Sequence, residues 1–91
     1  MANKSGSLLG DILYMVNTKG ILAAEFSFGN CTYSDTDVKW GYVKFFRHTS
    51  SYVTVLLFID NSSSMRYRRI LLTDGSWNTD WYEYTTTASI K

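Results

Sequence analysis

The chain has little of what marks several common classes of protein. It contains no proline, a single cysteine (Cys31) and a single histidine (His48) among its 91 residues. One cysteine cannot form an internal disulfide, so nothing indicates an oxidising compartment. The formal net charge of +1 is too small to direct the chain to nucleic acid or to an anionic membrane surface. We therefore expect no nucleic-acid partner.

Long apolar runs are also missing. No apolar run in the sequence is long enough to cross a bilayer, and no secretory signal pattern opens the chain. The first seven residues are small and polar, so we expect a flexible leader over residues 1–7 and a single β domain over residues 8–91. The sequence predicts no membrane insertion.

Residues that carry catalysis or bind metals are few. His48 lies in a predicted turn, where a solvated polar residue is the ordinary case, and a pair with Cys31 would lack a third, orienting group. Asp35 and Asp37 form an Asp-x-Asp pattern, but the Gly and the distal Glu of a calcium-binding loop do not follow. A solvated loop is the simpler interpretation. We expect no catalytic residue, no metal and no cofactor, and hence no enzyme.

Aromatic residues, by contrast, make up 16% of the chain and are concentrated between Trp40 and Tyr84. Runs rich in aromatic and β-branched residues alternate there with short clusters of Ser, Asn, Asp and Gly, which is typical of strands joined by tight turns. The central run, Tyr52 to Ile59, is expected to pair with its neighbours Trp40–Arg47 and Met65–Leu72. Its alternate residues form one apolar face, consisting of Val53, Val55, Leu57 and Ile59. The opposite face is also largely apolar, so we expect this strand to be covered on both sides.

The N-terminal half has a mixed pattern. Apolar residues between Leu8 and Val16 follow the spacing of a helix face, with Ser7 as a candidate N-cap and Gly20 after the end. An extended segment is the alternative. Ile21–Phe28 alternates like a half-buried strand, and Gly29–Lys39 is a polar loop. The sequence predicts an all-β fold, either a small antiparallel β-sandwich or a twisted meander sheet of about five strands, with or without one short N-terminal helix.

The closing segment carries the candidate ligand-binding residues. Flat aromatic faces stand beside hydrogen-bonding groups there, and sugar recognition needs both, because C–H faces stack on rings while hydroxyls seek polar partners. The predicted ligand-binding residues are Trp77, Trp81, Tyr82, Asp74, Asn78 and Asp80. The alternative is that the two tryptophans hold the last turn and strand onto the sheet, and we expect this of at least one of them.

The same segment resembles the end of pyocin-type tail-fibre knob domains. Their signature is a strand with arginine, a Gly-containing turn and a Trp-x-x-x-Trp pair. In this chain it reads Tyr67-Arg68-Arg69, Asp74-Gly75-Ser76-Trp77 and Trp81. Upstream, Thr18-Lys19-Gly20-Ile21 and Trp40-Gly41-Tyr42-Val43 are similar to strand starts of that group, so the resemblance covers residues 18–85. The two tryptophans are often closer together in that group than in this chain. Two arginines also stand here where one is usual, which leaves open whether Arg68 or Arg69 fills the family position.

The resemblance implies a function. It points to a non-enzymatic receptor-binding module of a phage tail fibre, or of a phage-derived tail particle, that recognises a bacterial surface glycan or protein. Such fibres are generally homotrimers, so the resemblance implies a homotrimeric module at the tail-fibre tip of a virion or in a phage-derived tail particle. The alternative is a small free-standing phage-encoded inhibitor or interaction protein that covers a host protein with its aromatic face.

Overall fold

The computed structural model describes residues 6–30 and 33–85. The first five residues of the predicted leader, and Cys31 of the rejected pair with His48, therefore lie outside the described residues. In the described part, α1 (Leu8–Leu13) continues into a π-helical turn (Tyr14–Thr18). The six strands are β1 (Ala23–Phe28), β2 (Gly41–Arg47), β3 (Tyr52–Ile59), β4 (Ser64–Leu71), β5 (Ser76–Trp77) and β6 (Tyr82–Thr85).

The strands form one antiparallel sheet in the order β1-β2-β3-β4-β5, with β6 also paired to β4. This confirms the all-β prediction and, of its two alternatives, the meander sheet. The central position of β3 between β2 and β4 is confirmed as well. The sequence predicted about five strands, and the sixth arises because the closing segment pairs with β4 in two separate pieces.

The helical alternative for the N-terminal segment is confirmed. The Ser7 side chain accepts a hydrogen bond from the Gly10 amide at 3.0 Å, which is the contact expected of an N-cap. The π-helical turn ends with the Lys19 amide bonded to the Tyr14 carbonyl. Gly20 follows with a φ of +68°, a conformation that glycine adopts without steric cost.

The helix covers one face of the sheet, which we call the inner face. Register pairing places Val43, Leu57 and Arg66 in one row across that face. The core is built from α1, the π-helical turn, the loop between β1 and β2, and inward-facing strand residues. Its fully or almost fully buried members include Leu8, Ile12, Met15, Val16, Val43, Phe45, Val53, Val55, Leu57 and Ile70.

Three details of the predicted burial are corrected. Ile59 is only partly buried at the end of β3. Leu22, on the apolar face of the predicted strand Ile21–Phe28, precedes β1 and is 62% exposed. The loop between β1 and β2 is not simply polar and solvated, since Tyr33 and Val38 contribute to the core.

Candidate functional site

The opposite side of the sheet, the outer face, has no covering layer in the described part of the chain. The prediction that β3 is covered on both sides is wrong. Tyr52, Thr54, Leu56 and Phe58 are each partly exposed, whereas Val53, Val55 and Leu57 between them are buried. The one short helix covers only the inner face, because its core residues pack with the inward-facing set.

Register pairing arranges the outer-face side chains in rows that cross the strands. One row contains Tyr42, Phe58, Met65 and Tyr84. The next row contains Lys44, Leu56, Tyr67 and Tyr82, and a third contains Phe46, Thr54 and Arg69. These three rows, together with Tyr52, are the outer face.

Aromatic rings dominate this face. The Tyr67 and Tyr82 ring centroids lie 5.2 Å apart, and those of Tyr42 and Phe58 lie 6.1 Å apart. Tyr84 is 60% exposed, Tyr82 50% and Tyr67 40%. A monomeric protein rarely leaves so many adjacent rings uncovered unless they bind something.

Charges on the outer face are sparse. Lys44 lies 3.8 Å from Glu25 on the neighbouring strand β1, and both side chains are half exposed. The Glu25 carboxylate also accepts a hydrogen bond from Tyr42, which raises the pKa of that phenol. Apolar rings therefore lie beside hydroxyl groups with little net charge between them.

The predicted ligand-binding residues are divided between different places. The Trp77 and Trp81 rings lie 5.3 Å apart and are half buried. Trp77 Nε1 donates to a carboxylate oxygen of Asp35 at 3.1 Å, and Trp81 Nε1 donates to the Asp35 carbonyl at 3.0 Å. Both tryptophans thus attach the closing segment to the β1–β2 loop. This is the structural role that we expected of at least one of them.

Arg68 completes this tryptophan cluster. Its guanidinium lies 4.5 Å from the Trp77 ring centroid and 5.5 Å from that of Trp81, and its Nε donates to the Thr79 carbonyl. Burial lowers the pKa of the Arg68 guanidinium, because desolvation disfavours the charged form. Arg68 therefore stacks on the rings and fixes the closing turn, whereas Arg69, one residue later, belongs to the outer face.

The other predicted residues are exposed. Tyr82 lies on the outer face against Tyr67, so it is the aromatic member of the predicted set that is available to a ligand. Asp74, Asn78 and Asp80 are exposed at the turns of the closing segment. The structure does not bring these three together with Tyr82 into one group, and their role in binding stays a prediction.

Sequence reasoning missed the role of Asp35. Its two carboxylate oxygens accept hydrogen bonds from the amides of Leu8 and Leu9, each at 2.9 Å, while one of them also accepts the Trp77 bond. The residue that we had weighed as a solvated loop position or a calcium ligand thus joins the helix, the loop and the closing segment. Its partners are 26 to 46 residues away in sequence, so no local pattern could have shown them.

Asp37 has a different partner. Its carboxylate lies 2.6 Å from Arg66, which also lies 3.4 Å from Glu83. The hydrogen bond and the charge of Arg66 lower the pKa of the Asp37 carboxyl group. Within the described residues no group of three or more His, Cys, Asp or Glu is placed to hold a metal ion.

His48 lies in the turn between β2 and β3. Its ring stacks on Tyr52 with centroids 6.4 Å apart, and its Nε2 lies 2.8 Å from the Thr54 hydroxyl. The ring is thereby held at one end of the outer face as part of the aromatic surface.

No helix in the described part of the chain is long and apolar enough to span a membrane. Comparison of the chain with protein families, with curated proteins and with solved structures gave no match in any of the three.

Proposed function

We propose that the chain is a non-enzymatic receptor-binding module that recognises a bacterial surface glycan through its outer face. The observation that carries this proposal is the uncovered sheet face with its hydroxyl-bearing rings, of which Tyr67, Tyr82 and Tyr84 are exposed and Tyr42 and Tyr52 partly exposed. The rigid sheet holds these rings at fixed spacings, which limits the entropy lost on binding.

Tyrosine suits this task better than a purely apolar ring. Its π-face is electron-rich and attracts the C–H groups on one side of a sugar ring, while its hydroxyl exchanges hydrogen bonds with sugar hydroxyls. The tryptophan cluster supports the proposal indirectly. It anchors the segment before β6 and so fixes the position of Tyr82 next to Tyr67.

The resemblance to tail-fibre knobs suggests the setting. We place the module at the tip of a phage tail fibre or of a phage-derived tail particle, assembled as a homotrimer. Light scattering on the isolated chain is then expected to give three times the 10.4 kDa mass of one copy. A monomer at high concentration would argue against a trimer formed by this domain itself.

A panel of purified bacterial surface polysaccharides tests the function. We expect the labelled protein to bind a subset of the panel, and Tyr82→Ala to weaken that binding at least tenfold while the melting temperature barely changes. Leu22→Ala is the matched control, since Leu22 is exposed but lies outside the outer face. Trp77→Ala should lower stability by about 2–3 kcal/mol, because it removes a half-buried ring. Full-strength binding by Tyr82→Ala, or a panel without any binding, would contradict the proposal.

A second candidate rests on a different part of the same face. Phe46, Leu56, Phe58 and Met65 are apolar and partly exposed, and aromatic residues with Met are enriched in protein interfaces. A free-standing interaction protein that covers a host protein would use this region. Expression of the chain inside a susceptible bacterium would then slow growth, and Met65→Glu would relieve the effect.

A further inference from the structure

A cleft opens on the outer face where the last strands of the sheet are interrupted. β5 pairs with Ile70 and Leu71, and β6 pairs with residues 64–67, so the β4 residues Arg68 and Arg69 have no strand partner on that side. The loop between β5 and β6 supplies single contacts there instead. The Asn78 amide donates to the Arg69 carbonyl at 2.7 Å, and the Arg69 amide donates to the Thr79 hydroxyl at 3.4 Å.

The cleft has a volume of about 310 Å³, at the lower end of the range for small-molecule sites. Its walls combine an aromatic pair, two threonines and two arginines: Tyr67, Tyr82, Thr54, Thr79, Arg68 and Arg69. The aromatic pair is tilted by 31°, and four of the six lining residues carry a hydroxyl group.

Arg69 supplies the charge. Its guanidinium lies over the Tyr52 ring, 5.7 Å from the ring centroid and within the range of a cation–π contact. Of the three arginines in β4, Arg66 is paired with Asp37 and Glu83, and Arg68 is held by Trp77 and Thr79. Arg69 forms no ion pair with a carboxylate of the described residues. A planar cation without an anionic partner, at the edge of a cleft, is suited to a ligand carboxylate.

We propose that this cleft binds an acidic sugar, with the sugar carboxylate on the Arg69 guanidinium and one face of the sugar ring against the Tyr67–Tyr82 pair. This inference rests on the proposed glycan function and names the class of sugar. An acidic side chain of a protein would pair with Arg69 but would not account for the rest of the cleft. The threonine hydroxyls and the ring pair fit a ligand that also has a pyranose ring and hydroxyls of its own.

Titration followed by amide NMR spectra tests the inference. The probe is methyl glucuronide, and methyl glucoside is its neutral counterpart with the same ring. We expect methyl glucuronide to shift the amide signals of Thr54, Arg69 and Thr79 with a dissociation constant on the order of 1 mM, which is usual for a ligand of this size. Methyl glucoside should bind about tenfold more weakly, because it cannot form the charge-assisted contact.

Two variants test whether Arg69 supplies the positive charge that the sugar carboxylate contacts. Arg69→Gln should weaken methyl glucuronide binding about tenfold and remove the preference over methyl glucoside. Lys39→Gln removes one positive charge from the exposed β1–β2 loop, away from the cleft, and should leave both affinities unchanged. If the two variants weaken binding equally, the effect is one of net charge, and the assignment to Arg69 is overturned.

The remaining outcomes separate this inference from the function on which it rests. Equal affinity for the two sugars overturns the acidic preference and leaves glycan binding intact. Shifts confined to Tyr42, Phe58 and Tyr84 overturn the cleft and again leave glycan binding intact. N-acetylglutamate binding as tightly as methyl glucuronide would show a carboxylate site for acidic peptides instead of sugars. If neither sugar shifts any signal and the polysaccharide panel is also negative, both proposals fail.

Discussion

Neighbouring residues of β3 lie in two different environments. Leu57 is fully buried beneath the helix, whereas Leu56 is partly exposed on the outer face beside Lys44 and Tyr67. Every central strand repeats this contrast, because successive side chains point to opposite sides of a sheet. The inner face is mostly apolar and covered, and the outer face is rich in exposed and partly exposed rings. The same strands therefore hold the domain together on one side and present a surface on the other.

The contrast is tested most strongly by truncating these two leucines. Leu57→Ala should lower the free energy of unfolding by about 2–5 kcal/mol, because it leaves a cavity in a closely packed core. Leu56→Ala should cost less than about 1.5 kcal/mol, since its side chain is only partly removed from water. Denaturant unfolding of both variants measures the difference. Equal costs would mean that the outer face is as well packed as the inner one.

A smaller effect is expected from the carboxylate that attaches the inner layer. Asp35→Ala removes the hydrogen bonds to the Leu8 and Leu9 amides and to Trp77, and should cost about 1–2 kcal/mol. Tryptophan fluorescence should shift as the indole loses its partner. Asp74→Ala is the control, since Asp74 is an exposed carboxylate in a turn. If both variants unfold at the same denaturant concentration, Asp35 does not hold the helix to the sheet.

The smallest effect concerns the Asp37–Arg66 ion pair at the margin of the inner face. Arg66 lowers the pKa of Asp37 in the folded state, so the unfolded chain binds more protons in the acid range. The pair therefore stabilises the fold fully above the unfolded pKa of about 3.9, and this contribution is lost as the pH falls through the lower, folded pKa. The Asp37 side chain is 81% exposed, so screening by solvent limits the contribution to about 0.2–1 kcal/mol.

Stability measured against pH for the parent and for Asp37→Asn isolates this contribution. The parent should be the more stable at pH 6, and the difference should shrink as the pH falls through the lowered pKa of Asp37. High salt should reduce the difference at pH 6, since exposed ion pairs are screened. A difference that changes with neither pH nor salt would have to come from something other than the charge of Asp37.

Much of the fold could be predicted from the sequence, because it depends on local periodicity. The spacing of Leu8, Ile12 and Val16 indicated a helix, with an extended segment as the alternative, and the turn clusters predicted the order of β2, β3 and β4. Whether the outer side of β3 is covered could not be predicted in this way. Apolar residues on both faces of a strand look alike in sequence whether the second face contacts the core or remains open.

The candidate site was predictable only in part. Tyr82 was among the predicted residues, but its neighbours Tyr67, Arg69 and Thr54 come from other strands, and only the register brings them together. Arg68 and Arg69 likewise have different roles because they face opposite sides of β4. The sequence shows that successive side chains of β4 alternate between the two sides of the sheet. It does not show which of the two sides contacts the tryptophans.

The interruption between β5 and β6 also affects how copies of this domain meet in concentrated solution. An unpaired full-length edge strand can add a strand from another molecule, and repeated addition builds fibrils. In the described residues, β1 is a continuous six-residue edge, whereas the opposite edge consists of a two-residue piece and a four-residue piece. Growth by strand addition needs two adhesive edges, and the second edge here is broken into short, offset pieces. The geometry that opens the cleft thus also makes the sheet a poor template for aggregation.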